Sequence, residues 1–499
     1  MKLMKRLLTI LFAFMMALAI TSMVFAEEGS SPGAKGTITI EDAIDGETYS
    51  IYKIFNLESY QKDDTDPTKG RYAYTLTTEW ETFVLTGDGK GYFEKDKDGY
   101  ITWKNGVDES KKAEFAEKAL KYARENTTLT KQQNTKTTGT TLKFSNIELG
   151  YYLVDSGVGA LCSLNTTNAS VTIKEKNTIP TITKTVSTRD DGTYVEKVSA
   201  NVGDTVYFKT EITVGKGAQD YVLHDKMYEG LAFNYTASGT STVTVWDENK
   251  NTAVTHAIET DATTLGDGCT FHIKFSDYTQ FDAGDKIVIK YSATVNEKAI
   301  DKTEGVKNDT WLSYGNNHNT THDDAKVFTF NIPVYKFYKD GSTNKGLAAV
   351  TFKLYKDAEC TEANVAKLAK QTDKTVYHYD KTSSNDTIKT ETDGKFTIKG
   401  LAEGTYYLKE ISTPNGFNLL KKPVEIKIDT DGKVQYKEKD STGAYTSVGS
   451  TTENAVMIEN KSGTVLPSTG GVGTTIMYIV GAALLIGSGV ILITKKNVK

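Results

Sequence analysis

The feature that most constrains the fold is a two-residue alternation of apolar and polar side chains, which recurs along most of the chain. The apolar members of two such runs are Val206, Phe208, Ile212 and Val214, and Ile287, Ile289, Tyr291, Ala293 and Val295. This alternation is typical of β-strands that bury one face. Turn signals such as Asp340-Gly341 and Asp393-Gly394 separate the runs. The pattern therefore predicts a mainly β chain of immunoglobulin-like β-sandwich domains.

A helical periodicity interrupts the strands near residues 108–126. Its apolar stripe consists of Ala116, Ala119, Leu120 and Ala123. This spacing predicts one helix in the N-terminal domain, with Asp108 or Ser110 as its N-cap.

The N-terminus has the three parts of a secretory signal peptide. A basic start with Lys2, Lys5 and Arg6 precedes the apolar run 7–20, and Ala26 closes a small-residue exit. The apolar run is short for a membrane span. We therefore predict a cleaved signal peptide over residues 1–26.

The C-terminus also has three parts in a fixed order. An LPSTG sequence precedes the apolar stretch 472–494, which is followed by three lysines. The LPSTG residues are Leu466, Pro467, Ser468, Thr469 and Gly470. The stretch is long enough to cross a bilayer as a helix, and the lysines would keep the tail in the cytoplasm. The arrangement resembles the LPxTG cell-wall sorting signal of Gram-positive bacteria.

The resemblance to a sorting signal implies chemistry performed by a sortase. A sortase cysteine would attack the carbonyl of Thr469 and release the chain from Gly470 onward. An amine would then resolve the acyl-enzyme. This amine belongs either to the peptidoglycan precursor or to a lysine of another subunit.

Composition excludes several other classes of function. The 499 residues contain 59 Lys and Arg and 64 Asp and Glu, a net charge of −5. Removing the six basic residues at the two ends takes the body from −5 to −11, which argues against nucleic acid as a partner. The three cysteines and six histidines are scattered, so we expect no disulfide framework, no metal site and no cofactor. No nucleophile–base motif or phosphate loop is recognisable, so we predict that the chain is not an enzyme.

Two prolines mark the predicted boundaries between domains. Pro180 and Pro333 each open a similar strand-like run, Ile-Pro-Thr-Ile-Thr-Lys and Ile-Pro-Val-Tyr-Lys. We divide the mature chain into an N-terminal module (27–178), a middle module (179–331), a third module (332–462) and the sorting signal (463–499).

The third module places three polar residues on predicted inward faces. Lys336 alternates with Val334, Glu410 with Leu408, and Asn460 with Ile458. Burying three polar groups separately would be costly, so we expect them to meet. Burial favours a neutral lysine and a protonated carboxyl group. Lys336 could then attack the side-chain carbonyl of Asn460, with Glu410 polarising that carbonyl and shuttling protons.

The surroundings of these residues resemble a known family. The stretch 346–352, the box Tyr406-Tyr407-Leu408-Lys409-Glu410 and the terminal Asn460 before LPSTG are similar to the CNA-B-type domain of Gram-positive pilins. The resemblance implies a Lys336–Asn460 isopeptide bond with Glu410 as the catalyst.

The middle module resembles the CNA-A-like domain of the same pilins. Lys184, Asp225 and Asn308 each share a predicted strand face with apolar neighbours. The resemblance implies a Lys184–Asn308 bond with Asp225 as the catalyst, while Asn316 and Asn317 are rival acceptors.

The N-terminal module is less clear. It contains Asp155 and Asn177, but neither Lys35 nor Lys53 is clearly placed as a donor, so we assign no bond there, and whether this module forms a bond or binds a metal stays open. In the pilin family the polymerising lysine lies in a Tyr-Pro-Lys-Asn-like motif at the end of this domain. The corresponding segment reads Ile-Lys-Glu-Lys-Asn at 173–177. Lys176 is the preferred intersubunit lysine and Lys174 is its rival.

These features together predict a secreted backbone pilin displayed as a fimbria on the cell surface. The resemblance implies as partners a pilin-type and a housekeeping sortase, other copies of the chain, accessory pilins and peptidoglycan. The host surface ligand stays open. The alternative is a monomeric wall-anchored adhesin or accessory pilin built from the same modules.

Overall fold

The structure is a computed structural model in which the described residues are 35–61, 71–156, 160–163, 170–175, 177–216, 220–236, 243–275, 280–315, 318–372, 375–463 and 472–496. The predicted signal peptide, the LPSTG motif, Lys176, Asn316 and Asn317 lie outside these residues. The chain divides into two compact units, Met1–Thr329 and Phe330–Lys499.

Residues 35–174 of the first unit form a three-stranded sheet, a seven-stranded sheet and one long helix, α1 (Glu109–Glu125). The strands are β1 (Lys35–Glu41), β2 (Thr48–Gln61), β3 (Arg71–Leu76), β4 (Phe93–Lys95), β5 (Tyr100–Trp103), β6 (Gln133–Lys136), β7 (Thr141–Glu148), β8 (Gly150–Asp155), β9 (Ala160–Ser163) and β10 (Ser170–Lys174). The strand orders are β10-β1-β7 and β4-β5-β3-β2-β8-β9, with β6 paired to β2.

The larger of these sheets has apolar residues on both faces. Tyr49 and Ile51 belong to a core shared with the three-stranded sheet. Ile54 and Phe55 belong to a second core, which includes Phe115 of the helix. The helix begins after Asp108, whose side chain accepts a hydrogen bond from the backbone N–H of Lys111. The predicted helix is thereby confirmed, with Asp108 as its N-cap.

Residues 181–328 of the first unit form a second pair of sheets and the short helix α2 (Ala262–Leu265). The strands are β11 (Thr181–Ser187), β12 (Lys197–Ser199), β13 (Thr205–Thr213), β14 (Val222–Met227), β15 (Leu231–Phe233), β16 (Thr244–Asp247), β17 (Thr252–Ala253), β18 (Ala257–Glu259), β19 (Phe271–Lys274), β20 (Lys286–Val295), β21 (Val306–Tyr314), β22 (His318–Asn319) and β23 (Asp323–Phe328). The orders are β11-β13-β20-β16-β17, with β15 on β20, and β12-β23-β21-β14-β19-β18, with β22 on β21.

The second unit contains two six-stranded sheets. The strands are β24 (Phe330–Asp340), β25 (Thr343–Gly346), β26 (Thr351–Tyr355), β27 (Leu368–Lys370), β28 (Val376–Tyr379), β29 (Ile388–Lys389), β30 (Lys395–Leu401), β31 (Gly404–Ser412), β32 (Val424–Ile428), β33 (Val434–Glu438), β34 (Thr446–Ser447) and β35 (Val456–Glu459). The orders are β25-β24-β30-β28-β27, with β35 on β24, and β29-β26-β31-β32-β33-β34.

The predicted apolar stretch near the C-terminus forms the helix α3 (Val472–Lys496). Its segment Thr475–Lys495 has a mean hydropathy of 2.5 and is long and apolar enough to cross a membrane. Short 3₁₀ or π segments lie at Thr78–Trp80, Thr82–Thr86, Glu297–Ala299, Glu362–Asn364 and Val448–Ser450.

The architecture confirms the prediction of a mainly β, multi-domain chain. None of the sheets in the described residues joins strands from both sides of the predicted boundary at 178. The predicted boundary at 331 lies two residues from the division between the two units.

Candidate functional site

The structure brings together the three polar residues that the sequence places on inward faces of the third module. The Lys336 amine contacts Oδ1 of Asn460 and lies 2.8 Å from Oε2 of Glu410. The Asn460 amide nitrogen donates to Oε1 of Glu410 at 2.7 Å and to Thr413 Oγ1 at 2.8 Å. The carboxyl group of Glu410 therefore contacts both the Lys336 amine and the Asn460 amide nitrogen.

Strand pairing explains why these three residues meet. Strand β24 pairs in parallel with β35, with Lys336 opposite Ile458, and the Asn460 N–H donates to the Phe337 carbonyl. Glu410 lies on β31 of the other sheet, opposite Phe352 of β26. The first strand of the unit thus supplies the amine, the residue directly after the last strand supplies the carboxamide, and the second sheet supplies the acid.

Gly394 contacts the backbone of Lys336 and positions this part of β24. It has a φ of +71°, and its carbonyl accepts the Lys336 N–H at 2.8 Å. A Cβ at this position would lie 2.0 Å from the Lys336 carbonyl oxygen. The Asp393-Gly394 turn predicted from the sequence therefore needs glycine both for its dihedral angle and for this close approach.

Burial shifts the Lys336 amine toward its neutral form. The side chains of Lys336 and Glu410 are both 0% exposed, and the amine lies 5.7 Å from the ring centre of Phe352. Loss of solvation lowers the pKa of Lys336, although its hydrogen bond and charge interaction with Glu410 act in the opposite direction. A buried amine with a lowered pKa is a better nucleophile at neutral pH than an exposed one.

The position of Glu410 differs in one respect from the expectation. The sequence suggested that its carboxyl group polarises the Asn460 carbonyl. In the structure the carboxyl group contacts the amide nitrogen, and the carbonyl oxygen contacts the lysine. The geometry thus favours transfer of protons between the two nitrogens.

The middle module contains a second buried group. The Lys184 amine lies 2.5 Å from Oδ2 of Asp225, and both contact the hydroxyl group of Tyr291. The Asn308 amide nitrogen donates to the same hydroxyl group at 3.2 Å. The side chains of Lys184 and Asp225 are 0% exposed.

The two sheets of the middle module contribute different members of this group. Lys184 on β11 and Tyr291 on β20 belong to one sheet, while Asp225 on β14 and Asn308 on β21 belong to the other. Strands β14 and β21 are antiparallel neighbours in which Met227 pairs with Asn308. The group therefore spans the space between the sheets.

Burial shifts both ionisable partners toward their neutral forms. It lowers the pKa of Lys184 and raises the pKa of Asp225, against the attraction between their charges. Asn308 Oδ1 and Asp225 Oδ1 have no hydrogen-bond partner among the described residues. The carbonyl of Asn308 is thus not held by a competing donor.

Sequence reasoning missed Tyr291 and Thr413 as members of these groups. The alternation of apolar residues indicates that Tyr291 points inward. Its contact with Lys184, however, depends on how the strands and sheets pack, which the alternation does not reveal. Thr413 follows directly after β31, and no pattern singled it out.

The N-terminal module contains no equivalent group among its described residues. Asp155 is buried, but the side chain 3.0 Å away is Arg124, not a lysine. Lys35 and Lys53 both pair with Glu148, and Asn177 donates to Ser156 Oγ. Arginine stays charged and does not act as an amine nucleophile, so Arg124 does not take the role proposed for the lysines of the other two modules.

The segment around the predicted intersubunit lysine is partly described. Lys174 ends β10, an edge strand, and its side chain is 48% exposed with acidic partners no closer than 3.8 Å. Glu175 is buried and accepts the hydroxyl group of Tyr49 at 2.9 Å. Lys176, the next residue in the sequence, lies outside the described residues.

One group among the described residues has the donor types of a metal site. It consists of His224, Asp267, Cys269 and His272 in the middle module. His318 and His322, the pair considered and set aside from the sequence, instead contact Glu47 and Asp309, respectively.

Two segments of the chain match known families. Residues 334–442 match the family described as SpaA, a prealbumin-like fold domain. Residues 458–499 match the LPXTG cell wall anchor motif. No curated protein matches the chain.

Solved pilin structures are similar to most of the chain. The T6 backbone pilin of Streptococcus pyogenes is 17% identical, with 87% of this chain and 100% of that chain covered and a TM-score of 0.50. The major pilins SpaA and SpaD of Corynebacterium diphtheriae are 15% and 16% identical, cover 86% and 88% of this chain and 100% of their own, and have TM-scores of 0.45 and 0.43. The similarity to the T6 pilin shows a shared fold.

Proposed function

We propose that this chain, a cell-wall-anchored surface protein with a pilin-like fold, is the structural backbone subunit of a covalent pilus. The observation that carries the proposal is the pair of buried groups in which a lysine, an acid and an asparagine meet. Such groups suit a protein that bears tension outside the cell without relying on disulfides.

In the third module the proposed reaction joins Lys336 to Asn460. The neutral amine attacks Cγ of Asn460, and Glu410 Oε2 takes the proton that the amine loses. Because Oε1 of the same carboxyl group lies against the amide nitrogen, Glu410 can return a proton to the leaving group. The C–N bond of the carboxamide breaks, ammonia leaves, and an isopeptide bond remains.

In the middle module the proposed reaction joins Lys184 to Asn308. Asp225, which burial shifts toward its protonated form, donates a proton through the Tyr291 hydroxyl group to the leaving amide nitrogen, and its carboxylate then takes the proton that the attacking amine loses. This bond would connect the two sheets, whereas the bond in the third module would connect neighbouring strands of one sheet.

Polymerisation would be performed by a pilin-type sortase. The enzyme would cleave after Thr469 and transfer the acyl group to a lysine of the next subunit, with Lys176 preferred over Lys174. Each subunit then has one donor residue, Thr469, and one acceptor lysine at a distant position in the chain. Such head-to-tail linkage does not close and produces a filament, which a housekeeping sortase would attach to peptidoglycan.

The alternative function is a monomeric wall-anchored adhesin or accessory pilin. The same modules and anchor serve both functions, and only use of the intersubunit lysine separates them. The exposed Lys174 beside Lys176 favours the backbone function, because an acceptor amine must be accessible to the acyl-enzyme.

The decisive experiment compares wall proteins from the wild type with those from Lys176→Ala and Lys174→Ala strains. Muramidase releases the proteins, which are then separated on a denaturing gel. We expect a high-mass ladder in the wild type that disappears in Lys176→Ala and persists in Lys174→Ala. The reverse pattern would move the linkage to Lys174. A single band in all three strains would establish the monomeric alternative.

A further inference from the structure

Four potential metal ligands meet on the middle module, away from the buried lysine. Leu223 and Asp225 of β14 face the core, so His224 between them faces outward. Its ring lies close to Asp267, Cys269 and His272, and the ligand atoms of the four residues all lie within 4.8 Å of one another. We propose that these residues bind a divalent transition-metal ion, with Zn²⁺ as the preferred ion.

Strand register brings the two histidines together. His224 lies directly opposite His272 in the antiparallel pair β14–β19, which places both on the same face. Their ring centres are 4.1 Å apart. The two imidazoles are therefore held side by side by the backbone of two neighbouring strands.

A tight loop before β19 supplies the other two ligands. Gly266 and Gly268 have φ angles of +68° and +76°, which turn the chain back over the sheet. Asp267 Oδ1 accepts the backbone N–H of Cys269 at 3.0 Å. Thr270 ties the loop to β14 because its N–H donates to the Asp225 carbonyl at 2.7 Å.

The two imidazole nitrogens converge on one carboxylate oxygen. His224 Nδ1 and His272 Nε2 lie 2.9 and 2.8 Å from the same oxygen, Asp267 Oδ2. Two imidazoles, a carboxylate and a thiolate are typical ligands of zinc. Zinc bonds of about 2.0–2.3 Å place tetrahedral ligands about 3.3–3.8 Å apart. On binding, ligand atoms that are now up to 4.8 Å apart would move together by about 1 Å, and the two imidazole nitrogens would move away from Asp267 Oδ2 by about 0.5–1 Å.

The orientation of the His224 ring is fixed by its neighbours, as is usual for a histidine that binds a metal. Its second nitrogen, Nε2, lies 3.1 Å from Ser313 Oγ, which leaves Nδ1 directed at the proposed centre. The indole of Trp311 stacks on the ring at 4.9 Å with an interplanar angle of 8°. Such a hydrogen bond sets the tautomer and the orientation of the imidazole.

Charge and access are also compatible with a divalent cation. Binding would release the thiol proton of Cys269 to solvent, and the thiolate and the Asp267 carboxylate would then balance the two positive charges. The side chain of Asp267 is 31% exposed, which gives an ion a route from solvent. Calcium and magnesium fit poorly, because they require mostly oxygen ligands and the group has one carboxylate.

The expectation of no metal site arose because the ligands are dispersed in sequence. The local pattern Asp-x-Cys-x-x-His at 267–272 contains three of them, but His224 comes 43 positions before Asp267. His224 lies close to the other three ligands because β14 pairs with β19 in a register that places it opposite His272.

The test is metal titration of the full chain, purified in detergent and stripped with a chelator. We expect one Zn²⁺ per chain by calorimetry and native mass spectrometry. Co²⁺ should give a thiolate charge-transfer band and the visible bands of a tetrahedral site. Cys269→Ser should remove the charge-transfer band, whereas the matched control Cys360→Ser should leave it unchanged.

Two further variants separate metal binding from folding. Ser313→Ala keeps all four ligands and should weaken Zn²⁺ affinity by about 10–100-fold. His272→Ala removes a ligand and should weaken it by more than about 100-fold, since even partners outside the ligand set contribute that much. Circular dichroism establishes that each variant is folded.

Three results would overturn the proposal. They are the absence of stoichiometric Zn²⁺ binding, a cobalt–thiolate band that persists in Cys269→Ser, or affinity for Ca²⁺ that exceeds affinity for Zn²⁺. Metal binding on this outer face does not require the Lys184–Asn308 bond, so an intact mass that lacks the ammonia loss would leave the proposal standing.

Discussion

A single carboxyl group in the third module lies between the two nitrogens whose bonds would change. Glu410 Oε2 is 2.8 Å from the Lys336 amine, and Oε1 is 2.7 Å from the Asn460 amide nitrogen. Removing the amine proton and protonating the leaving group are the two steps that an uncatalysed amide exchange performs slowly. The proposed reaction therefore needs a group at this position that can both accept and donate a proton, and a negative charge alone would not be sufficient.

Replacing this carboxyl group by an amide tests its role. We expect wild-type chain to be lighter than its sequence by two ammonia molecules, one per proposed bond. Glu410→Gln cannot accept the amine proton, so we expect this variant to be lighter than its own sequence by only one ammonia molecule. Intact-mass spectrometry of the full chain measures the difference.

The matched control is Glu438→Gln, which changes an exposed glutamate on β33 of the same unit and should retain both losses. A Glu410→Gln chain that loses two ammonia molecules would exclude Glu410 as the proton carrier. An unmodified wild-type mass would exclude both bonds.

The lowered pKa of Lys336 predicts a pH dependence for bond formation. Only the neutral amine attacks, and burial lowers its pKa below the ordinary value of about 10.4. The rate should therefore fall as the pH decreases through the lowered pKa and level off above it. Chain taken from inclusion bodies in denaturant is refolded at a series of pH values, quenched in acid and weighed.

The experiment uses a Lys184→Arg variant, in which the middle-module bond cannot form, so that any loss of ammonia reports the third-module bond. Circular dichroism checks that the chain is folded at each pH. A rate that stays constant or rises on acidification would contradict attack by the Lys336 amine.

At the scale of elements, the proposed third-module bond would join β24 to β35 at their parallel contact. The strands between them belong to both sheets of the unit, so the bond would close almost the whole third module (332–462) into one loop. Load that enters at β24 would then pass to Asn460 through the Lys336 side chain. Residues between the two crosslinked positions would bear none of it.

Single-molecule stretching tests this path. Lys336 and Asn460 are 124 positions apart, so unfolding the intervening chain releases about 400 Å at roughly 3.3–3.6 Å per residue. We expect Asn460→Ala to show this extension and the wild type not to show it. Asn454→Ala, an exposed turn position before β35, is the control and should behave as the wild type. Full extension in the wild type would contradict a bond that carries load.

The strand period explains how much of these sites the sequence predicted. Because side chains alternate, an apolar neighbour two positions away was sufficient to place Lys336, Glu410 and Asn460 on inward faces. Alternation does not reveal which strands become neighbours. The contact of Tyr291 with Lys184 and the pairing of His224 with His272 depend on sheet packing and register, so neither could be predicted.

At the scale of the whole molecule, the first unit is held together across the predicted boundary at 178. Arg124 lies 3.0 Å from Asp155 and 3.4 Å from Asp220. The buried Glu47 contacts His318 and accepts the Tyr314 hydroxyl group at 3.4 Å. These contacts explain why the N-terminal and middle modules form one compact unit, while the third module belongs to the other.

This division predicts how the molecule responds to a change at Glu47. Removing the carboxylate in Glu47→Ala leaves the buried Tyr314 hydroxyl group and His318 without this partner, which typically costs about 1–3 kcal/mol. Calorimetry of the full chain should then show a lower unfolding temperature for the transition of the first unit and an unchanged one for the second. Glu94→Ala, at an exposed position of the same unit, should shift neither transition. Equal shifts in both transitions would mean that the units do not unfold independently, and no shift would mean that these contacts do not stabilise the first unit.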